Sequence, residues 1–123
     1  MASLAAAAVA SLAVASGAAA SGGDDIRNAG TCTDSSSSKI KVKPGDGRIE
    51  VEFEVDQNKT GDTWKGKSKD NSSVAFKGTA TTRGPSGSFS IERKITDQAG
   101  SDVITATAKN KSGGERCRAS ATL

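Results

Sequence analysis

The segment Arg48-Ile49-Glu50-Val51-Glu52-Phe53-Glu54-Val55-Asp56 alternates polar and apolar residues without a break. Successive side chains of an extended strand point to opposite faces, so this pattern buries Ile49, Val51, Phe53 and Val55 together and leaves the acids in water. A helix would scatter the same residues around its circumference. Weaker period-two patterns return at residues 39–43, 63–69, 73–82, 88–96, 103–109 and 116–123. Between them lie Gly, Pro, Asp and Asn clusters such as Asp70-Asn71 and Gly84-Pro85-Ser86-Gly87, spaced as sandwich turns are. With a short first strand at residues 30–33, the pattern predicts an all-β, immunoglobulin-like antiparallel β-sandwich of seven or eight strands.

The hairpin of residues 39–43 and 48–56 reads as closed by a four-residue loop, Pro44-Gly45-Asp46-Gly47. Centred there, the register sets Val42 opposite Ile49 and Ile40 opposite Val51, with Lys41 opposite Glu50 and Lys39 opposite Glu52 on the wet face. The row Glu50, Glu52, Glu54 then serves cross-strand pairing rather than carboxylate catalysis.

Residues 1–20 contain no charged side chain, and the first acid is Asp24. The apolar run at residues 4–14 and the small residues Ala18 and Ala20 predict a signal peptide cleaved before Ser21, although the usual basic start is missing. The run is rich in Ala and broken by Ser11, Ser16 and Gly17, which weighs against an uncleaved membrane span. Residues 21–28 read as a flexible leader, and residues 29–123 as the domain. The expected location is extracellular, with no membrane contact after cleavage.

Two cysteines in an exported chain are expected to pair, so Cys32 and Cys117 are assigned a disulfide. Neither has a His or a second Cys nearby for a zinc site, and no cofactor is expected. Trp64 falls between them, as a core Trp does in immunoglobulin domains.

The segments Asp46 to Asp56, Thr63-Trp64-Lys65, Gly87 to Arg93, Glu115-Arg116-Cys117-Arg118 and Gly30-Thr31-Cys32 resemble small secreted proteins of actinobacteria. The likeness runs over nearly the whole of the region after residue 20. It implies export, the same cysteine pairing and a bacterial source, and it implies no activity.

Catalysis has little to work with: the chain holds no His and no Tyr, and its serines stand without an evident activating partner. The expectation is no enzyme. Asp56, Asn58, Thr60, Gly61 and Asp62 echo the start of a calcium loop, but Lys67 stands where a bidentate Glu is needed, so the segment reads as an Asx turn. Asn58, Asn71 and Asn110 each begin an N-x-S/T sequon, which in a bacterial protein are turn residues.

The net charge of +3 comes from 17 basic and 14 acidic residues mixed along the chain. With aromatics at 3%, stacking platforms for nucleic acid are lacking. Among the scattered cations Arg83, Arg93, Lys94, Lys109, Lys111, Arg116 and Arg118, the set Lys109, Lys111, Arg116 and Arg118 straddles one predicted hairpin. It is the best local candidate for an anionic partner such as a cell-wall polymer. The leading expectation is therefore a monomeric, non-enzymatic binding or structural module, its partner an extracellular polymer or protein. A secreted hydrolase inhibitor presenting the exposed loop at residues 83–87 is the alternative, and a small-molecule carrier is disfavoured by the scarcity of aromatics.

Overall fold

The computed structural model describes residues 25–123, so the predicted signal peptide at residues 1–20 lies outside the described residues. Among the described residues nine strands run in order: β1 Ile26–Ala29, β2 Thr31–Cys32, β3 Ser37–Gly45, β4 Arg48–Asp56, β5 Thr63–Asp70, β6 Ser73–Thr81, β7 Ser88–Thr96, β8 Val103–Asn110 and β9 Arg116–Thr122. They form two antiparallel sheets, one ordered β1-β3-β4-β7 and the other β2-β9-β8-β5-β6. No helix among the described residues is long and apolar enough to cross a membrane.

The count exceeds the expected seven or eight because the single first strand is in fact two. β1 pairs with β3 in one sheet and β2 pairs with β9 in the other. The chain crosses between sheets at Gly30, whose amide donates to the Ser38 carbonyl at 2.8 Å. A Cβ at that point would collide with the Arg118 carbonyl and the Ser38 hydroxyl, so only glycine fits the crossing. Among the described residues, regular pairing thus begins at Ile26, inside the stretch read as leader.

The β3–β4 hairpin turns on two residues rather than four. Asp46 (φ 56°) and Gly47 (φ 74°) both take the left-handed region, the geometry of the primed two-residue turn whose twist suits a hairpin. Pro44 and Gly45 continue the strand, opposite Ile49 and Arg48. The expected register is consequently off by two: Ile40 faces Phe53, Val42 faces Val51, Lys39 faces Glu54 and Lys41 faces Glu52. A shift of two keeps every side chain on its face, so the inside and outside assignments survive the correction.

The core is chemically lopsided. The four-stranded sheet supplies bulk, with Ile40, Val42, Ile49, Val51, Phe53, Val55, Phe89, Ile91 and Ile95 buried. The five-stranded sheet answers mainly with small side chains, Ala106, Ala108, Ala119 and Ala121, plus Ile104 and the fully buried Trp64. Large against small lets the layers interdigitate at close-packed density. Trp64 tilts against Phe89 with ring centroids 5.8 Å apart, and at the β6–β7 edge the Arg93 guanidinium lies 5.7 Å over the Phe76 ring.

The sandwich and its disulfide are observed. Cys32 and Cys117 are bonded and directly opposite one another on β2 and β9, and no free cysteine remains. In an immunoglobulin domain the bridge spans the two sheets, and the second and third strands lie in different sheets. Here the bridge joins neighbours within one sheet, and β3 and β4 are hairpin partners. The architecture is a two-sheet antiparallel sandwich.

Candidate binding face

Alternation along β5 buries Trp64, Gly66, Ser68 and Asp70 and turns Lys65, Lys67 and Lys69 outward. The same rule turns Lys77 and Thr79 outward on β6, Thr105, Thr107 and Lys109 on β8, and Arg116 and Arg118 on β9. Seven cations therefore share the outer face of the five-stranded sheet, and no outward position of its five strands holds an acid.

Register sorts these residues into rows across the sheet. One runs Lys77, Lys67, Thr107, Arg118, Thr31; the next runs Thr79, Lys65, Lys109, Arg116. Lys67 thus sits directly opposite Lys77, and Lys109 is flanked by Lys65 and Arg116. Neighbouring strands are about 4.8 Å apart and same-face residues along a strand about 7 Å, inside the Debye length of about 8 Å at physiological salt. Their fields add.

The other sheet shows what the chain does when charge serves pairing. Lys39 reaches Glu54 at 3.2 Å and Lys41 reaches Glu52 at 3.3 Å, while Glu50 stands between Lys43 and Lys94. Among the described residues none of the seven cations of the five-stranded sheet makes an ion pair.

The face is also concave. The centre strand β8 presents short Thr105 and Thr107 before Lys109, while long Lys and Arg side chains stand on β5, β6 and β9 on either side. The resulting trough, of about 860 Å³, is lined by Lys65, Lys67, Lys77, Lys109, Arg116 and Arg118 together with threonine hydroxyls. A smaller continuation of about 360 Å³ adds Lys69, Asn71 and Thr105.

Of the candidate residues named from the sequence, Lys109, Arg116 and Arg118 meet in this trough. Lys111 does not line it; it lies in the β8–β9 turn, its amide bonded to the Thr63 carbonyl at 2.9 Å. Arg83, Arg93 and Lys94 lie elsewhere: in the β6–β7 turn, over Phe76, and opposite Glu50. Sequence reading missed Lys65, Lys67, Lys69 and Lys77. Their own alternation was a visible signal, but the β5–β8 pairing that brings them beside Arg118 spans about 40 residues of chain and has no local mark.

Two other polar clusters have structural employment. The Trp64 indole N–H donates to Gln57 Oε1 at 3.0 Å, Gln57 Nε2 donates to Asp62 Oδ2 at 2.6 Å, and Asn110 Nδ2 donates to the same oxygen at 3.0 Å. The bonds from Asn110 and then Gln57, aided by Lys59, hold the Asp62 carboxyl below its ordinary range against the opposing effect of burial. Asp56 Oδ1 accepts the Asn58 amide at 3.0 Å, the expected Asx turn. Asn110 is 3% exposed and caps its own turn by accepting the amides of Ser112 and Gly113, so its sequon is unreachable in the folded domain. Glu115 approaches the bridged sulfurs, but the disulfide consumes both thiolates, and the carboxylate instead accepts from Asp34 N, Ser36 N and Ser36 Oγ at 2.9, 3.1 and 2.6 Å.

No family model, curated protein or solved structure matches this chain. The reading of the trough therefore rests on its own chemistry.

Proposed function

We propose that this protein is an exported, non-enzymatic binding module that holds an anionic extracellular polymer, such as a cell-wall polymer, in the trough of its five-stranded sheet. One observation carries the reading: Lys67 opposes Lys77, and Lys65, Lys109 and Arg116 stand in one row with no acid on the face. Like charges placed directly opposite destabilise a sheet, and the other sheet of the same chain instead pairs Lys39 with Glu54 and Lys41 with Glu52. A face that tolerates this repulsion gains from an external anion that relieves it. An extended polyanion laid along β8 meets ammonium and guanidinium groups on both sides and threonine hydroxyls on the floor.

The test is retention on matrices bearing an anionic polysaccharide, a neutral polysaccharide and a phosphate polymer. Retention on the anionic matrices that falls steeply as salt rises is expected. The double variant Lys67→Glu, Arg118→Glu should wash through, whereas Lys39→Glu on the opposite sheet should be retained. Wash-through of the wild type at low ionic strength on every matrix refutes the reading.

A second reading, a hydrolase inhibitor, is favoured by one feature. Arg83, Gly84, Pro85 and Ser86 form an exposed turn closed by Arg83 N to Ser88 O at 3.0 Å and Gly87 N to Arg83 O at 2.8 Å. Titration of secreted hydrolases should then abolish activity at a fixed stoichiometry, and absence of inhibition across a panel excludes it.

A further inference from the structure

The end of the sandwich remote from the Trp64 network buries two acids that the binding face does not use, with the exposed Asp97 next to them. Asp70 ends β5 on its inward side, the next inward position after Ser68, and its partner on β8 is Ile104. Asp102 precedes Ile104 by two residues and so stands diagonal to Asp70 on the same face. The two are 6% and 1% exposed. Asp102 lies beside Asp70 on one side and Asp97 on the other. Its backbone is locked by reciprocal bonds with Leu123 at 3.2 and 2.9 Å, and its Oδ1 accepts the Gln98 amide at 3.3 Å.

Among the described residues, neither carboxylate oxygen of Asp70 has a hydrogen-bond partner, and neither does the Ser68 hydroxyl beside it. Arg48 and Lys94 line the adjoining cleft with Asp70, yet among the described residues no Lys or Arg pairs with Asp70, Asp97 or Asp102. A buried carboxylate without a partner is among the costliest arrangements a fold can carry, and a second one alongside adds repulsion. The donor set is all hard oxygen, with no imidazole or thiolate, which suits calcium rather than a transition metal.

We propose that Asp70 and Asp102 bind a calcium ion between them at this end of the sandwich, with Asp97, beyond Asp102, reached through water in the ion's outer shell. The ion supplies the countercharge that the fold withholds and ties β5, β8 and the β7–β8 loop together. Extracellular calcium modules work at dissociation constants of about 10⁻⁴ to 10⁻³ M, a range matched to an exported protein. The inference is independent of the polymer reading.

The experiment is thermal unfolding of the chelator-treated protein in calcium chloride, in magnesium chloride and in sodium chloride of equal ionic strength, alongside a calorimetric calcium titration. Calcium at 10 mM is expected to raise Tm saturably by roughly 5 to 15 °C, magnesium much less and sodium not at all, with one ion bound per chain. In Asp70→Asn and Asp102→Asn the calcium shift should vanish, while both unfold at a higher temperature than the chelated wild type because the repulsion is gone. The proposal is overturned by a wild-type Tm indifferent to calcium, by equal shifts in calcium and magnesium, or by a calcium shift that survives in Asp70→Asn. Should a variant fail to fold, the wild-type titration decides: no saturable heat overturns the proposal.

Discussion

Removing the bridge with the double substitution Cys32→Ala, Cys117→Ala perturbs the unfolded chain more than the folded one. In the native sheet the two residues are already register partners, and β2 keeps a bond from Thr33 N to the Arg116 carbonyl at 2.9 Å without the sulfurs. The cysteines lie 85 residues apart. The chain-entropy relation gives a loop of that size about 15 cal/mol/K of lost denatured-state entropy, or about 4.6 kcal/mol at 25 °C. A domain of about 100 residues has an unfolding entropy near 0.2 kcal/mol/K, so Tm should fall by roughly 20 °C. Both numbers are read from urea and thermal unfolding followed by circular dichroism, with the m-value rising as the denatured state expands. A loss below about 1 kcal/mol, or an unchanged m-value, would refute the reasoning and place the bridge's effect in the native state.

Two further outcomes follow from charge. Lys67→Thr, which copies Thr107 and Thr79 beside it, should stabilise the domain by a few tenths to about 1 kcal/mol at low salt while weakening retention on an anionic matrix; the gain should disappear in 0.5 M salt, and a gain that persists there is not electrostatic. Asp62, held below its ordinary range by Asn110 and Gln57, contributes stability that is fully present above its unfolded value near pH 4 and is lost as pH falls through the lower folded value. Asp62→Asn should therefore differ most from wild type at neutral pH and converge with it in acid, and a difference in Tm that stays constant down to pH 2 contradicts the assignment.

The inward and outward faces were legible wherever alternation was strict. Residues 48–56 place every side chain as expected, because a period of two leaves no other way to bury Ile49, Val51, Phe53 and Val55. The register was legible only to within two residues, since Pro44 and Gly45 carry loop chemistry yet extend the strand, and Asp46-Gly47 alone makes the turn. Strand order was not legible, because long-range pairing is set by packing of whole sheets. The binding face suffered the same limit: Lys109, Arg116 and Arg118 belong to one hairpin and could be grouped, whereas Lys65, Lys67 and Lys77 join them only through the β5–β8 ladder. The burial of Asp70 and Asp102 had no local signal either, since acids beside turns read as exposed.

The most direct test of the central claim is to map where an anionic polymer lands on the protein. Amide chemical shifts recorded during titration with an anionic oligosaccharide should move at Lys65, Lys67, Thr107, Lys109 and Arg118, across the five-stranded sheet, and return as salt is added. Shifts confined to the Lys39–Glu54 and Lys41–Glu52 face of the other sheet, or none at all, would contradict the account.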